Sequence, residues 1–316
     1  MKTVFFGTPD FAVAGLEALV KHSEVLAVVC QPDKPAGRGM KLKAPPVKVR
    51  ALELGLEVLQ PKRIRSKSFR TRFKELAPEL AVVAAYGKIL PKSILEEVPR
   101  GFINLHASLL PKFRGAAPIH RCIIQGEAKT GISLMQLTPG MDEGPVYFMK
   151  EILLDARETV GTLHDRLKDL SGLALEEFMV SLLDDALGEA IGQDHSQATY
   201  APKIENDEAE ITWDNSSSAI DRLVRGTNPF PGAFTHLNSL RVKVFDAEVL
   251  EQTSKGEPGE VIEISDLGPI VATQKGSLLL KKVQPAGKRR MPAADWARGI
   301  RLECGARFGE KVQDQK

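Results

Sequence analysis

Apolar and polar positions change rhythm along this chain, and the change divides it. In the first part, short runs rich in Val, Ile, Leu and Phe alternate with stretches whose apolar residues recur every three or four positions. Residues 3–6, 25–30, 56–59 and 80–85 read as buried strands, and residues 11–21 and 47–54 as helices. Strands separated by helices predict parallel βαβ units in a doubly wound, mostly parallel α/β sheet. The first strand–turn–helix passes through Gly7-Thr8-Pro9-Asp10 and carries no G-x-G-x-x-G, so a dinucleotide fingerprint is missing. Residues 157–187 repeat with helical period, which assigns Leu163, Leu167, Leu170, Leu173, Leu175 and Phe178 to a core. Residues 190–206 then turn polar and read as a linker between a domain at 1–189 and a second at 207–316. In that second domain the pattern shortens. Residues 210–213, 233–237, 241–250, 260–264, 270–273 and 277–283 read as strands between Gly/Pro turns, with helices at 217–225 and 293–302. That spacing predicts a small β-barrel.

Composition narrows the class without naming a function. A chain of 316 residues can hold two cores. Lys+Arg of 43 against Asp+Glu of 41 leaves a net charge of +2, so global charge does not point to nucleic acid. From Lys203 onward the chain holds 17 basic and 17 acidic residues, so any anionic partner there must meet a local patch. Such a patch is available at Lys281, Lys282, Lys288, Arg289 and Arg290, around one turn. Cys30, Cys122 and Cys304 are odd in number and far apart, which suits a reducing cytoplasm better than a disulfide framework. Pro9 and Asp10 interrupt the first apolar run too early for a signal peptide, and no run is long enough for a membrane helix.

Candidate chemistry concentrates between Phe102 and Gly144. Phe102, Asn104 and His106 alternate with Ile103, Leu105 and Ala107, so a strand points Asn104 and His106 to one face. A loop follows from Ser108 to Gly115, and Pro118 suits the first turn of the next helix. A second strand at 132–137 runs into Pro139-Gly140-Met141-Asp142-Glu143-Gly144. If the two strands are parallel neighbours, Asp142 leaves the sheet at the same edge as His106, where open α/β sheets bind ligands. An Asn near a strand end is commonly a turn former, a single His commonly structural, and an Asp between glycines commonly a cap. Together, however, a neutral donor, an imidazole and a carboxylate facing one point suit acyl transfer through an oxyanion. No motif calls for a metal. Two basic stretches remain. Residues 31–46 form a long Pro/Gly-rich loop with Lys34, Arg38, Lys41 and Lys43, and residues 62–74 carry seven basic residues and no acid. A solvated surface explains either; phosphate contact is the alternative.

The segment INLHASLLPKFRGAAPI followed by GMDEG closely resembles the folate-dependent formyltransferases, and the likeness extends from Val4 to about Gly299. Within that family, VFFGTPDFA and QPDKPAGRGMKLKAPPVKVRA resemble the branch that acts on charged initiator tRNA. The resemblance implies a Rossmann-like formyltransferase domain followed by an OB-like barrel that holds tRNA. It implies 10-formyltetrahydrofolate as donor and the α-amine of methionine on initiator tRNA as acceptor, as in translation initiation. Asn104, His106 and Asp142 fall on the family's catalytic set. Ser108, Leu109, Leu110 and Pro111 match the tetrahydrofolate-binding SLLP, and the turn with Tyr86, Gly87, Ile89 and Leu90 would line the same pocket. The long loop would reach the acceptor stem through Arg38, with Lys41 and Lys43 beside it. The basic turn at 281–290 would add contacts. Lys88 and Arg114 receive no role from the resemblance, and a monomer is expected.

Other readings share parts of this pattern. A sugar-nucleotide N-formyltransferase would carry the same catalytic set and a C-terminal β domain, but not the basic loop. A glycinamide ribonucleotide formyltransferase would lack the second domain. A non-catalytic folate- or tRNA-binding protein would not need all of Asn104, His106 and Asp142, and a 10-formyltetrahydrofolate hydrolase would release formate without an acceptor.

Overall fold

The computed structural model describes residues 1–36, 40–250 and 256–309. The chain forms two compact units. The first comprises Met1–Pro118, Lys129–Leu153 and His164–Ala201, and the second Ile119–Ala128, Leu154–Leu163 and Pro202–Lys316. The boundary is therefore not one cut at a linker. Residues 193–201, expected to be linker, are bonded into the first unit, where Arg114 N donates to Thr199 O (2.9 Å) and Ala201 N to Arg114 O (2.7 Å).

In the first unit the strands are β1 (Lys2–Gly7), β2 (Glu24–Val29), β3 (Lys34–Ala36), β4 (Lys41–Lys43), β5 (Val58–Leu59), β6 (Leu80–Ala84), β7 (Phe102–His106), β8 (Lys129–Gln136) and β9 (Val146–Leu153). All but β3 and β4 form one sheet in the order β5-β2-β1-β6-β7-β8-β9, and β3 and β4 pair as a separate hairpin. The five strands from β5 to β7 run parallel. The expectation for the next strand is corrected: β8 lies antiparallel to β7, with Asn104 opposite Met135 and His106 opposite Ser133. Gln136 thus ends opposite Ile103, at the start of β7. Only the loop between β8 and β9, doubling back, returns Asp142 to His106. The pattern gave no strand at β9 because it is an edge strand whose exposed positions include the apolar Met149 and Leu153, which blurs the alternation.

Helices in chain order are α1 (Val13–His22), α2 (Pro46–Glu53), α3 (Lys67–Leu76), α4 (Lys92–Leu95), α5 (Pro118–Gln125) and α6 (Val160–Leu183). One face of the sheet buries Phe6, Phe73, Tyr86 and Phe102 together; the Phe6 and Tyr86 rings meet edge-on at 5.4 Å. Helix α3 holds much of the basic run at 62–74, and the structure pairs three of its cations internally. Arg72 binds Glu57 at 2.6 Å, Arg70 binds Glu97 at 3.1 Å and Lys74 reaches Glu97 at 3.6 Å. On α6, Leu163, Leu167, Leu175 and Phe178 are buried as expected, but Leu173 is 59% exposed.

The second unit is a closed β structure. Strands β10 (Phe234–Leu237), β11 (Leu240–Leu250), β12 (Val261–Ser265), β13 (Gly268–Ala272), β14 (Ser277–Pro285) and β15 (Met291–Pro292) form one antiparallel sheet in the order β10-β11-β14-β13-β12, with β15 on β14. Closure comes from the chain near its end. Leu237 bridges Phe308, and Glu260 bridges Arg307, so this segment lies between the two edges. The strand expected at 210–213 is a single bridge, Glu210 to Phe234, after a 3-10 turn at Asp207–Ala209. Helices α7 (Ser217–Gly226) and α8 (Ala293–Gly299) complete the unit. Its core holds Trp213, Trp296 and Phe308, and Trp213 Nε1 donates to Thr235 Oγ1 at 3.0 Å. Among the described residues, no helix is long and apolar enough to cross a membrane.

Candidate active site

Strand alternation on β7 sends Asn104 and His106 to the same face, where both are buried (9% and 6% exposed). Asp142 faces them. Its Oδ2 stands 3.6 Å from His106 Nδ1, and its Oδ1 is 3.5 Å from Asn104 Nδ2, at the outer limit of a hydrogen bond. The firm hold on this carboxylate is the Gly115 amide, which donates to Oδ2 at 2.8 Å. Gly115 has φ +116, and a Cβ there would stand 3.0 Å from Ala201 O, so this close approach requires glycine. The other imidazole nitrogen, Nε2, is 2.8 Å from Phe113 O. A carbonyl only accepts, so Nε2 carries the proton and Nδ1 is the nitrogen presented to Asp142. A neutral ring directs a lone pair at the carboxylate; a protonated ring directs an N–H at it.

Asp142 itself has φ 49, in the left-handed region. Its main chain is pinned by Gln193, whose Nε2 donates to Asp142 O (2.9 Å) and Gly144 O (2.7 Å). Gln193 Oε1 accepts from Arg114 Nε (3.1 Å) and Nη2 (2.7 Å). The sequence placed Gln193 in a linker and left Arg114 without a role. The proximity of 114 to the candidate catalytic strand was a signal for the arginine; nothing local marked the glutamine.

The residues expected to bind folate divide by exposure. Ser108 and Leu110 are buried, with Ser108 Oγ donating to Lys112 O at 2.6 Å and Leu110 packed on Met135 and Val146. Leu109 and Pro111 are partly exposed. The Tyr86 ring lies in the core with its hydroxyl unpaired among the described residues, and burial pushes its phenol up to about 12. Tyr86 therefore offers backbone to the sheet edge, and its carbonyl already accepts from Thr8 Oγ1 and Gln31 Nε2. Leu90 is buried, Gly87 is exposed and Ile89 is 82% exposed. Lys88 Nζ donates to Pro61 O and Lys62 O, both at 3.1 Å, which ties this turn down. Beside it, Asp33 accepts from Lys48 Nζ (2.9 Å) and Gln60 Nε2 (2.8 Å).

The full chain aligns with curated proteins along its whole length. It is 42% identical over 314 residues to the methionyl-tRNA formyltransferase of Nitrosomonas eutropha, covering 99% of both chains. The family model described as Formyl transferase matches residues 1–179, and Formyl transferase, C-terminal domain, matches residues 203–301.

The chain belongs to the methionyl-tRNA formyltransferase family.

Solved structures carry the fold across a wider group. A sugar 3N-formyl transferase, WlaRD, superposes with TM-score 0.68 at 16% identity, over 92% of this chain and 99% of that one. The methionyl-tRNA formyltransferase from Clostridium thermocellum superposes with TM-score 0.53 at 18% identity, over 78% of this chain and 93% of that one. At those identities the likeness is one of fold, so assignment within the formyltransferases rests on the sequence relatives.

The residues expected to meet tRNA are surface residues where described. Lys41 and Lys43 are exposed on β4, and Arg38 lies outside the described residues. Around the barrel turn, Lys282, Lys288 and Arg289 are exposed, Lys281 pairs with Glu248 at 3.4 Å, and Arg290 stacks 3.5 Å over the Phe245 ring. His195 is exposed as expected but contacts Arg114 Nη1 at 3.3 Å. Among the described residues, one group has metal-compatible spacing, Asp10, His164 and Asp165, none of them in the candidate catalytic set. Lys168 already occupies Asp10 at 2.7 Å.

Proposed function

We propose that this chain transfers the formyl group of 10-formyltetrahydrofolate to the α-amine of methionine on initiator tRNA, with Asn104, His106 and Asp142 as its catalytic residues. The observation that supports the roles is the convergence of an amide donor, an imidazole and an anchored carboxylate on one face. The amine attacks the formyl carbon, and the carbon–oxygen double bond opens to an oxyanion. Asn104 Nδ2–H faces that charge, and the imidazole, whose Nε2–H is held by Phe113 O, steadies it through its positive charge when protonated. As the bond from the formyl carbon to folate N10 breaks, the amine gives up a proton and N10 takes one; Asp142, beside the imidazole, assists this exchange. The exposed turn with Gly87 and Ile89, together with Leu109 and Pro111, supplies backbone polar groups and apolar surface suited to a flat heteroaromatic ring. No metal has a role.

Arg38, Lys41 and Lys43 serve the acceptor stem, and Lys281, Lys282, Lys288, Arg289 and Arg290 add phosphate contacts. We take the chain to act as a monomer, and a tRNA substrate and three cysteines that form no disulfide among the described residues fit the cytoplasm. The test is formyl transfer to charged initiator tRNA with a UDP-amino sugar as parallel acceptor. Formylmethionyl-tRNA alone supports the proposal. Formylated sugar moves the chain to the sugar branch, and acceptor-independent formate marks a hydrolase. Replacing Arg38 weakens discrimination among tRNAs; equal loss on every tRNA would count against its role.

A further inference from the structure

Arg114 is the largest side chain that is almost completely buried, at 2% exposure, and no carboxylate lies within ion-pair distance of it among the described residues. Burying a guanidinium without a counter-charge is costly, so such a residue is held by what it organises. Its hydrogen bonds go to neutral groups, Gln193 Oε1 twice and His195 Nδ1 once. Gln193 uses its other amide atom entirely on the loop that carries Asp142, bonding the carbonyls of Asp142 and Gly144. The residue after Arg114 is Gly115, whose N–H holds the Asp142 carboxylate. One dipeptide therefore grips Asp142 from two sides: Arg114 holds its main chain through Gln193, and Gly115 holds its side chain directly.

We infer that Arg114 and Gln193 are positioning residues that set Asp142 against His106. The inference rests on the proposed role of Asp142. The physical need is specific. Asp142 sits in a left-handed backbone conformation on a loop that doubles back from an antiparallel strand. Neither β8 nor β9 dictates where the loop's tip points. Two carbonyl anchors from one amide fix it, and the arginine fixes that amide's orientation, since guanidinium N–H groups donate only to its oxygen end.

Gln193→Glu separates the two halves of this relay. A carboxylate keeps the bonds from Arg114 but cannot donate to Asp142 O and Gly144 O, so its oxygen faces two carbonyls. Gln193→Leu removes both halves. Arg114→Lys keeps the charge but not the forked pair of bonds. For all three the expected result is a fall in kcat of about 10- to 100-fold, with KM for tRNA and for 10-formyltetrahydrofolate each within about threefold. The pH profile of kcat should also change shape, because the Asp142–His106 spacing has changed. A merely structural pair would lower Tm while leaving kcat and its pH profile as they were in protein that remains folded. That outcome, or a loss confined to KM, overturns the inference. Asp142→Asn is run alongside. If it lowers kcat and the Gln193 variants do not, the relay is wrong and the catalytic assignment stands. If Asp142→Asn leaves kcat unchanged, the catalytic assignment itself fails.

Discussion

His106 and Asp142 meet through one ring nitrogen: Nδ1 stands 3.6 Å from Asp142 Oδ2 while Nε2–H is committed to the Phe113 carbonyl at 2.8 Å. The imidazole cannot turn over without giving up a buried hydrogen bond, so the ring presents a fixed edge to the carboxylate. Single replacements His106→Ala and Asp142→Asn should each lower kcat by about 100- to 1,000-fold, the scale of losing a preorganised group at a developing charge. The double variant should fall little further, because the two act as one unit. Steady-state formylation of charged initiator tRNA, with tRNA binding measured separately, reads both quantities.

Gly87 has φ +77, and a Cβ would come 2.6 Å from Gln31 Nε2. Gly87→Ala therefore strains the turn and pushes away the side chain that bonds Tyr86 O and Gly87 O. A penalty of ~1–2 kcal/mol corresponds to a rise in KM for 10-formyltetrahydrofolate of about 5- to 30-fold, with KM for tRNA little changed. Adding Gln31→Ala relieves the clash but not the backbone strain, so the double variant should recover only part of the loss.

Lys288 and Arg289 are exposed, whereas Lys281 is paired with Glu248. Removing both exposed cations should reduce the slope of log tRNA affinity against log salt by roughly 1.5, as expected for two lost phosphate contacts. Lys281→Ala should change it less. An unchanged slope in the double variant would remove this turn from the tRNA surface.

Burial raises the Cys30 thiol to about 11, so its thiolate is scarcer at neutral pH than an ordinary cysteine's. Cys122 is also buried, and Cys304 is exposed. Brief alkylation of native protein at pH 8 followed by mass spectrometry should label Cys304 and spare the other two, while denatured protein takes up label at all three.

The hydrogen bond from Gln60, and then Lys48, holds the Asp33 carboxylate below its usual range. Its contribution to stability is therefore present above the ordinary carboxylate pKa and is lost as pH falls through the depressed value. Asp33→Asn should narrow the difference between urea midpoints measured at neutral pH and near pH 3. A difference identical to that of the parent protein would contradict this.

The linear pattern determined a good deal. Strand alternation put Asn104 and His106 on one face of β7, because successive side chains on a strand must diverge. The strand–helix rhythm specified the parallel part of the sheet, and the short strands and turns specified a β-rich second domain. The basic run at 62–74 was visible too, but Arg70, Arg72 and Lys74 in it pair with Glu57 and Glu97, acids that lie outside the run. What the sequence alone could not decide was direction and long-range partnership. A strand reads the same whichever way it pairs, so the antiparallel β8 was not legible, nor was the loop that must turn back to bring Asp142 to His106. Arg114 and Gln193 are 79 residues apart, and nothing in either neighbourhood announces the other. Only the folded chain brings a buried cation, a polar segment resembling a linker and the loop that carries Asp142 into hydrogen-bond range, because each of those groups needs the others to leave no buried polar atom without a partner.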